Sequence, residues 1–162
     1  METTGDTIHL QSEEDRLSKP RKRILMVEDD ADIRRLNTED LRNVGYLVDG
    51  VEDGAAAWEV LQRASYHLLI TDQHWPKSSG VELLKKIHDA NMALPVIMIT
   101  DILPKLEFAE YPWIQPATML LEPYSSAELL RMVKEALSAN AGVGDEIAPS
   151  PILKSQPVLH SQ

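Results

Sequence analysis

Ile24-Leu25-Met26-Val27-Glu28-Asp29-Asp30 is a short apolar run that ends abruptly in acid, and Leu68-Leu69-Ile70-Thr71-Asp72 repeats the pattern. Short runs of large apolar and β-branched residues read as strands buried on both faces, as in a parallel sheet. In an open parallel sheet, ligands bind outside the carboxyl ends of the strands. Two such strands side by side place three or four carboxylates in one crevice. Their mutual repulsion amounts to several kcal/mol at an effective dielectric of about 20. The pattern therefore predicts a bound cation, or a reaction that uses a carboxylate.

Outward from these two runs the chain alternates between strand and helix. Asp30 or Asp32 can cap a helix that carries Ile33, Leu36, Leu41 and Val44 on one face and ends at Gly45. Tyr46-Leu47-Val48 reads as a short strand, and Asp53 precedes Gly54 and an Ala-rich helix through Trp58 and Leu61. After Pro76 and Gly80, a helix presents Val81, Leu84 and Ile87, and Pro95 starts the strand Val96-Ile97-Met98-Ile99-Thr100. Thr118 to Leu121 is a further strand, stopped by Glu122-Pro123. Ser125-Ser126-Ala127-Glu128 offers a capping box before Leu130, Val133 and Leu137 at helical spacing. Strands alternating with helices of this length give a doubly wound parallel sheet covered on both faces, with right-handed crossovers and five strands in this chain. Pro104, Pro112 and Pro116 interrupt the stretch where the fourth helix belongs, so that helix is expected to be shortened or irregular.

Composition narrows the function classes. The chain has 162 residues, enough for one domain with a sizeable core plus tails. Residues 1–20 are polar and acidic and read as disordered, 21–139 as the folded domain, and 140–162 as a flexible Gly/Ala/Pro/Ser tail. Without cysteine, disulfides, thiolate metal sites and thiol catalysis are excluded. No signal peptide or membrane span is visible, which predicts a cytoplasmic protein. A net charge of −10 argues against nucleic-acid binding, and the basic Lys19 to Arg23 stretch reads as a solvated lead-in to the first strand.

Four strands end in a polar residue on one edge: Glu28-Asp29, Asp72, Thr100 and Glu122. Carboxylate oxygens suit a hard cation such as Mg²⁺, which keeps several waters and takes one or two protein carboxylates. A metal-bound carboxylate beside a hydroxyl can accept a phosphoryl group, the metal neutralising charge and the hydroxyl donating to a phosphoryl oxygen. The ordered set Ile24 to Asp30, Asp72-Gln73-His74-Trp75-Pro76 with Gly80, Thr100, and Glu122-Pro123 resembles the receiver domain of two-component response regulators, over roughly Arg21 to Ser138. That resemblance implies a flavodoxin-like fold with strand order 2-1-3-4-5. It makes Asp72 the phosphoacceptor, served by a histidine kinase or a phosphotransfer protein. Glu28, Asp29, Asp72 and the backbone carbonyl of His74 would hold Mg²⁺, and Thr100 would be the switch hydroxyl. Such a domain is a signalling phosphoacceptor rather than an enzyme.

The chain departs from the family pattern in four places, all on the side that transmits the signal. Glu122 stands where the family has a Lys that pairs with the acidic pocket. If Glu122 faces inward, its acidic neighbours raise its pKa; if it turns outward, water fills the space. Met119 replaces an aromatic switch residue, Asp101 replaces a small residue, and prolines break the fourth helix. His74 is read either as influencing water access to an acyl phosphate or as a solvated loop residue. Lys77 and Lys105 are candidate substitutes for the missing ammonium or solvated surface residues. Trp75 is expected to cover the pocket mouth, and Trp113 to be core or a partner anchor. The leading expectation is a stand-alone receiver that signals through an unidentified partner protein, its oligomeric state open. The alternative is a pseudo-receiver that binds its partner without phosphorylation. A remote alternative, a haloacid-dehalogenase-type phosphatase, rests on Asp30-Ala31-Asp32 and fails for want of an Asp directly at the strand end.

Overall fold

The computed structural model describes residues 21–73, 80–101, 109–110, 112 and 118–140. The expected tails, His74, Trp75, Lys77, Lys105, Trp113 and most of the proline-rich stretch lie outside the described residues. The strands are β1 (Arg23–Val27), β2 (Leu47–Val51), β3 (Leu68–Asp72), β4 (Val96–Thr100) and β5 (Thr118–Leu121). The described helices are α1 (Ala31–Asn43), α2 (Gly54–Arg63), α3 (Gly80–Asp89) and α4 (Ser126–Ala139). All neighbouring strands pair in parallel, in the order β2-β1-β3-β4-β5. This is the doubly wound parallel sheet that the alternating pattern predicts, in the flavodoxin-like strand order that the resemblance to receiver domains implies.

The central strands are buried on both faces because their side chains alternate between two cores. Ile24, Met26, Leu68, Ile70, Ile97 and Ile99 join Leu41, Leu129 and Val133 on one side. Leu25, Val27, Leu69 and Met98 join Ala57, Leu61, Val81, Leu84 and Ile87 on the other. Each such side chain taken out of water contributes about 1.5–3 kcal/mol. At the far end of the sheet, Arg23 ties the start of β1 to Asp49 of β2 at 2.9 Å, and the Tyr66 hydroxyl donates to the same carboxylate at 2.7 Å.

Side-chain caps start the helices as the sequence suggests. The Asp30 carboxylate accepts from the Asp32 and Ile33 amides, and Asp53 accepts from the Ala56 amide. Ser125 and Glu128 form a complete capping box on α4. Gly45, at φ +105°, closes the α1–β2 turn in a conformation that favours glycine. Among the described residues, no helix is long and apolar enough to cross a membrane.

The expected apolar face of α1 needs correction. Leu41 is fully buried, but Ile33, Leu36 and Val44 are 43%, 53% and 56% exposed. The inward face is instead Asn37, Thr38 and Leu41. Asn37 reaches across to the Tyr124 hydroxyl at 2.8 Å, so its amide is satisfied where a periodicity argument looks for an apolar group. β2 is also longer than the Tyr46–Val48 expectation, and on α4 Leu129 is fully buried while Leu130 is half-buried. A direct check compares two truncations on α1. Leu41→Ala is expected to lower unfolding free energy by about 2–5 kcal/mol. Leu36→Ala should change it by about 0.5 kcal/mol or less in urea denaturation. Equal losses would contradict the helix orientation.

Candidate functional site

Parallel pairing brings the strand ends to one edge. There the Glu28 amide donates to the Val51 carbonyl at 3.1 Å, the Gln73 amide to Ile99 at 3.0 Å, and the Glu122 amide to Thr100 at 2.9 Å. Carboxylate oxygens of Glu28, Asp29 and Asp72 all lie within 4.8 Å of one another. Glu28 is 3% exposed, whereas Asp72 is half-buried and Asp29 exposed. At that spacing each pair of full charges repels by about 3 kcal/mol at an effective dielectric of about 20.

Glu28 absorbs the conflict. Burial raises its pKa from 4.5 to about 8, and the Asp29 and Asp72 carboxylates push in the same direction, while the Asp30 amide, donating at 3.0 Å, acts against them. A buried carboxyl with acidic neighbours is a site short of positive charge. Three oxygen donors of this kind fit a hard divalent cation, with Glu28 giving up its proton when the cation arrives.

The backbone that carries Glu28 and Asp29 is held by Arg34, whose Nη1 donates to the Glu28 carbonyl at 2.5 Å and the Asp29 carbonyl at 3.4 Å. The stem of Arg34 passes over Gly50, where a Cβ would sit 3.1 Å from Arg34 Cγ. Behind Asp72, a Cβ on Gly80 would lie 2.7 Å from the Asp72 carbonyl oxygen, so a larger residue there would displace the strand end.

Thr100, 1% exposed, lies at the neighbouring strand end and donates its hydroxyl to Gln73 Oε1 at 2.5 Å. Glu122 is exposed and is not a member of the carboxylate cluster, and its peptide bond to Pro123 is cis. Met119 is partly buried against the α2/α3 core, and Asp101 is exposed. Tyr124 closes the side nearest α1. Burial raises its phenol pKa, the Asn37 bond opposes the shift, and the Glu28, Glu122 and Asp72 carboxylates add to it. Thus Glu28, Asp29 and Asp72 form one cluster, with Thr100 at an adjacent strand end. The His74 carbonyl lies outside the described residues.

Sequence reasoning did not single out Arg34, Gln73 or Tyr124. Gln73 did carry a signal: it is a polar residue directly after β3, at the sheet edge where the polar strand ends collect.

Residues 24–134 match the family described as the response regulator receiver domain. The chain is 31% identical over 118 residues to the response regulator receiver protein CpdR of Brucella abortus, covering 73% of this chain and 98% of that protein. Some other curated response regulators are longer, and the chain spans 49% of their length. A CheY-like receiver domain from Methanospirillum hungatei has a TM-score of 0.72 at 25% identity, covering 77% of this chain and all of that one. The receiver domain of the sensor histidine kinase PA1611 from Pseudomonas aeruginosa, described with a magnesium ion in its active-site cleft, has a TM-score of 0.65 at 24% identity over 74% of this chain and 99% of that one. The chain belongs to the response regulator receiver family. It is accordingly a CheY-like module of two-component signalling.

The raised pKa of Glu28 has a measurable consequence. A carboxyl that holds its proton more tightly when folded contributes stability in full below about pH 4.5 and loses it as pH rises through about 8. In buffer containing a chelator, wild type should lose a few kcal/mol relative to Glu28→Gln from about pH 6 to about pH 9. Urea midpoints against pH check this, and parallel curves would show that Glu28 is ionised throughout.

Proposed function

We propose that this receiver accepts a phosphoryl group on the Asp72 carboxylate from a phosphohistidine of a kinase or phosphotransfer protein, and signals by binding another protein. The observation that carries the reading is the convergence of Glu28, Asp29 and Asp72 carboxylates within 4.8 Å, beside the strand end that bears Thr100. A magnesium ion, held by these three carboxylates and the His74 carbonyl, would neutralise charge on the transferring group. The magnesium described in the PA1611 receiver supports that choice.

Asp72 provides the nucleophile. Its carboxylate oxygen forms the new bond to phosphorus as the P–N bond to the donor imidazole breaks, and the bonding pair returns to the imidazole nitrogen. Arg34 keeps the Glu28–Asp29 backbone in place, Glu28 releases its proton to become a full ligand, and Thr100 offers its hydroxyl to a phosphoryl oxygen. The match over 98% of the receiver protein CpdR supports the receiver assignment, and the charge of −10 disfavours nucleic acid as the target.

A second reading, partner binding without phosphorylation, is favoured by Glu122. That residue puts an anion where the family has an ammonium, so a phosphoryl group on Asp72 gains no cation from this side. Intact mass after treatment with acetyl phosphate and Mg²⁺ decides between the two. Wild type should gain one phosphoryl group, Asp72→Asn none, and Glu122→Lys should show several-fold higher occupancy. Chelation of Mg²⁺ should abolish the gain. If only Glu122→Lys is modified, the second reading holds. If neither is modified, Asp72 is not an acceptor.

A further inference from the structure

Gln73 and Thr100 stand on adjacent strand ends, 4% and 1% exposed, and the Thr100 hydroxyl donates to Gln73 Oε1 at 2.5 Å. Gln73 is pinned on both sides of its Cα. Its amide donates to the Ile99 carbonyl at 3.0 Å, and its own carbonyl accepts from the Gly80 amide at 2.9 Å. Gly80 lies so close that a Cβ there would be 3.2 Å from the Gln73 Cα. The side-chain amide therefore meets Thr100 from a fixed root.

A threonine hydroxyl has one proton to donate. While that proton is given to Gln73, it cannot also be given to a phosphoryl oxygen on Asp72. We infer that Gln73 is a positioning residue that holds the Thr100 hydroxyl in its resting direction and sets the fraction of phosphorylated molecules in which Thr100 turns to the phosphoryl group. This rests on the proposed phosphoacceptor role of Asp72.

The chemistry of the exchange gives it a direction. The Gln73 carbonyl is a neutral acceptor, whereas a phosphoryl oxygen is ionised, and hydrogen bonds to ionised acceptors are about twice as strong. The burial of both residues strengthens the Gln73 bond in its low-dielectric setting. Thr100 thus leaves Gln73 when the phosphoryl group arrives and returns when it is lost. Gln73 sets the threshold between the two, an effect felt most in a pocket where Glu122 supplies no cation.

Gln73→Leu removes the acceptor at similar volume, and Gln73→Met is a second variant should leucine perturb folding. In the resting full-length protein, Thr100 side-chain couplings by NMR should report one rotamer for wild type and a changed rotamer distribution for either variant. After acetyl phosphate and Mg²⁺, the ratio of turned to unturned Thr100 within the phosphorylated population should rise about two- to tenfold in the variants, the range expected for one neutral hydrogen bond. Thr100→Val should lose the proton that is contested, so that adding Gln73→Leu leaves the lifetime of the phosphorylated form unchanged. Equal ratios in wild type and both variants, with normal mass gain, would overturn the inference and leave the phosphoacceptor reading intact. No mass gain in any of these proteins would overturn the two together.

Discussion

The parallel register of β1, β3 and β4 is the constraint on which everything else depends. Met26 lies opposite Ile70, and Ile70 opposite Ile97, so the last residues of three strands emerge at one edge. Helices cover both faces of the sheet, which leaves that edge as the place where polar side chains can collect without breaking a core. The runs Ile24–Val27, Leu68–Ile70 and Val96–Ile99 are apolar, and each is followed at once by a polar residue. Glu28, Asp72, Gln73 and Thr100 are neighbours because of pairing, not because of their spacing along the chain.

Convergence creates an electrostatic problem that the protein leaves partly unsolved. Arg34, in the first turn of α1, donates to the Glu28 and Asp29 carbonyls rather than to carboxylates. It fixes geometry rather than cancelling carboxylate charge, and the pKa of Glu28 is raised by burial first and by the Asp29 and Asp72 carboxylates after it. Glu122 does not relieve it, since it brings another anion to the rim and raises the Tyr124 phenol further. With Glu122 at the position of the family's lysine, that position adds an anion rather than an ammonium, and a divalent cation at Glu28, Asp29 and Asp72 would offset the carboxylate charge.

Much of this was legible from residue order. Apolar runs marked the strands, and Asp30, Asp53 and the Ser125–Glu128 pair marked helix starts, because caps are local chemistry and need no partner from elsewhere in the fold. The cluster of Glu28, Asp29 and Asp72 followed from the parallel sheet alone. What could not be read was which polar residues are buried. Asn37 sits inside α1 because Tyr124, 87 positions away, meets its amide. The same is true of Gln73, whose partner Thr100 is 27 positions away. Hydrophobic periodicity assigns such residues to the surface, and so it turned Ile33, Leu36 and Val44 inward when they face outward.

These buried polar pairs bear on how the site works. The Gln73 carbonyl gives the Thr100 hydroxyl an acceptor in one direction, which an apolar residue at position 73 would not supply. A buried hydrogen bond of this kind adds order to the resting state, and the same bond must break for the hydroxyl to reach Asp72. Its two effects are therefore coupled: the more firmly Thr100 is held at rest, the more the phosphoryl group must contribute to turn it. In a receiver with a lysine, an ammonium shares in binding the phosphoryl oxygens. If Asp72 is phosphorylated as proposed, Glu122 adds no ammonium to that binding, and the turn of Thr100 depends the more on the charge of the phosphoryl group itself. Gln73 and Glu122 thus act in the same direction, each favouring the resting arrangement over the switched one.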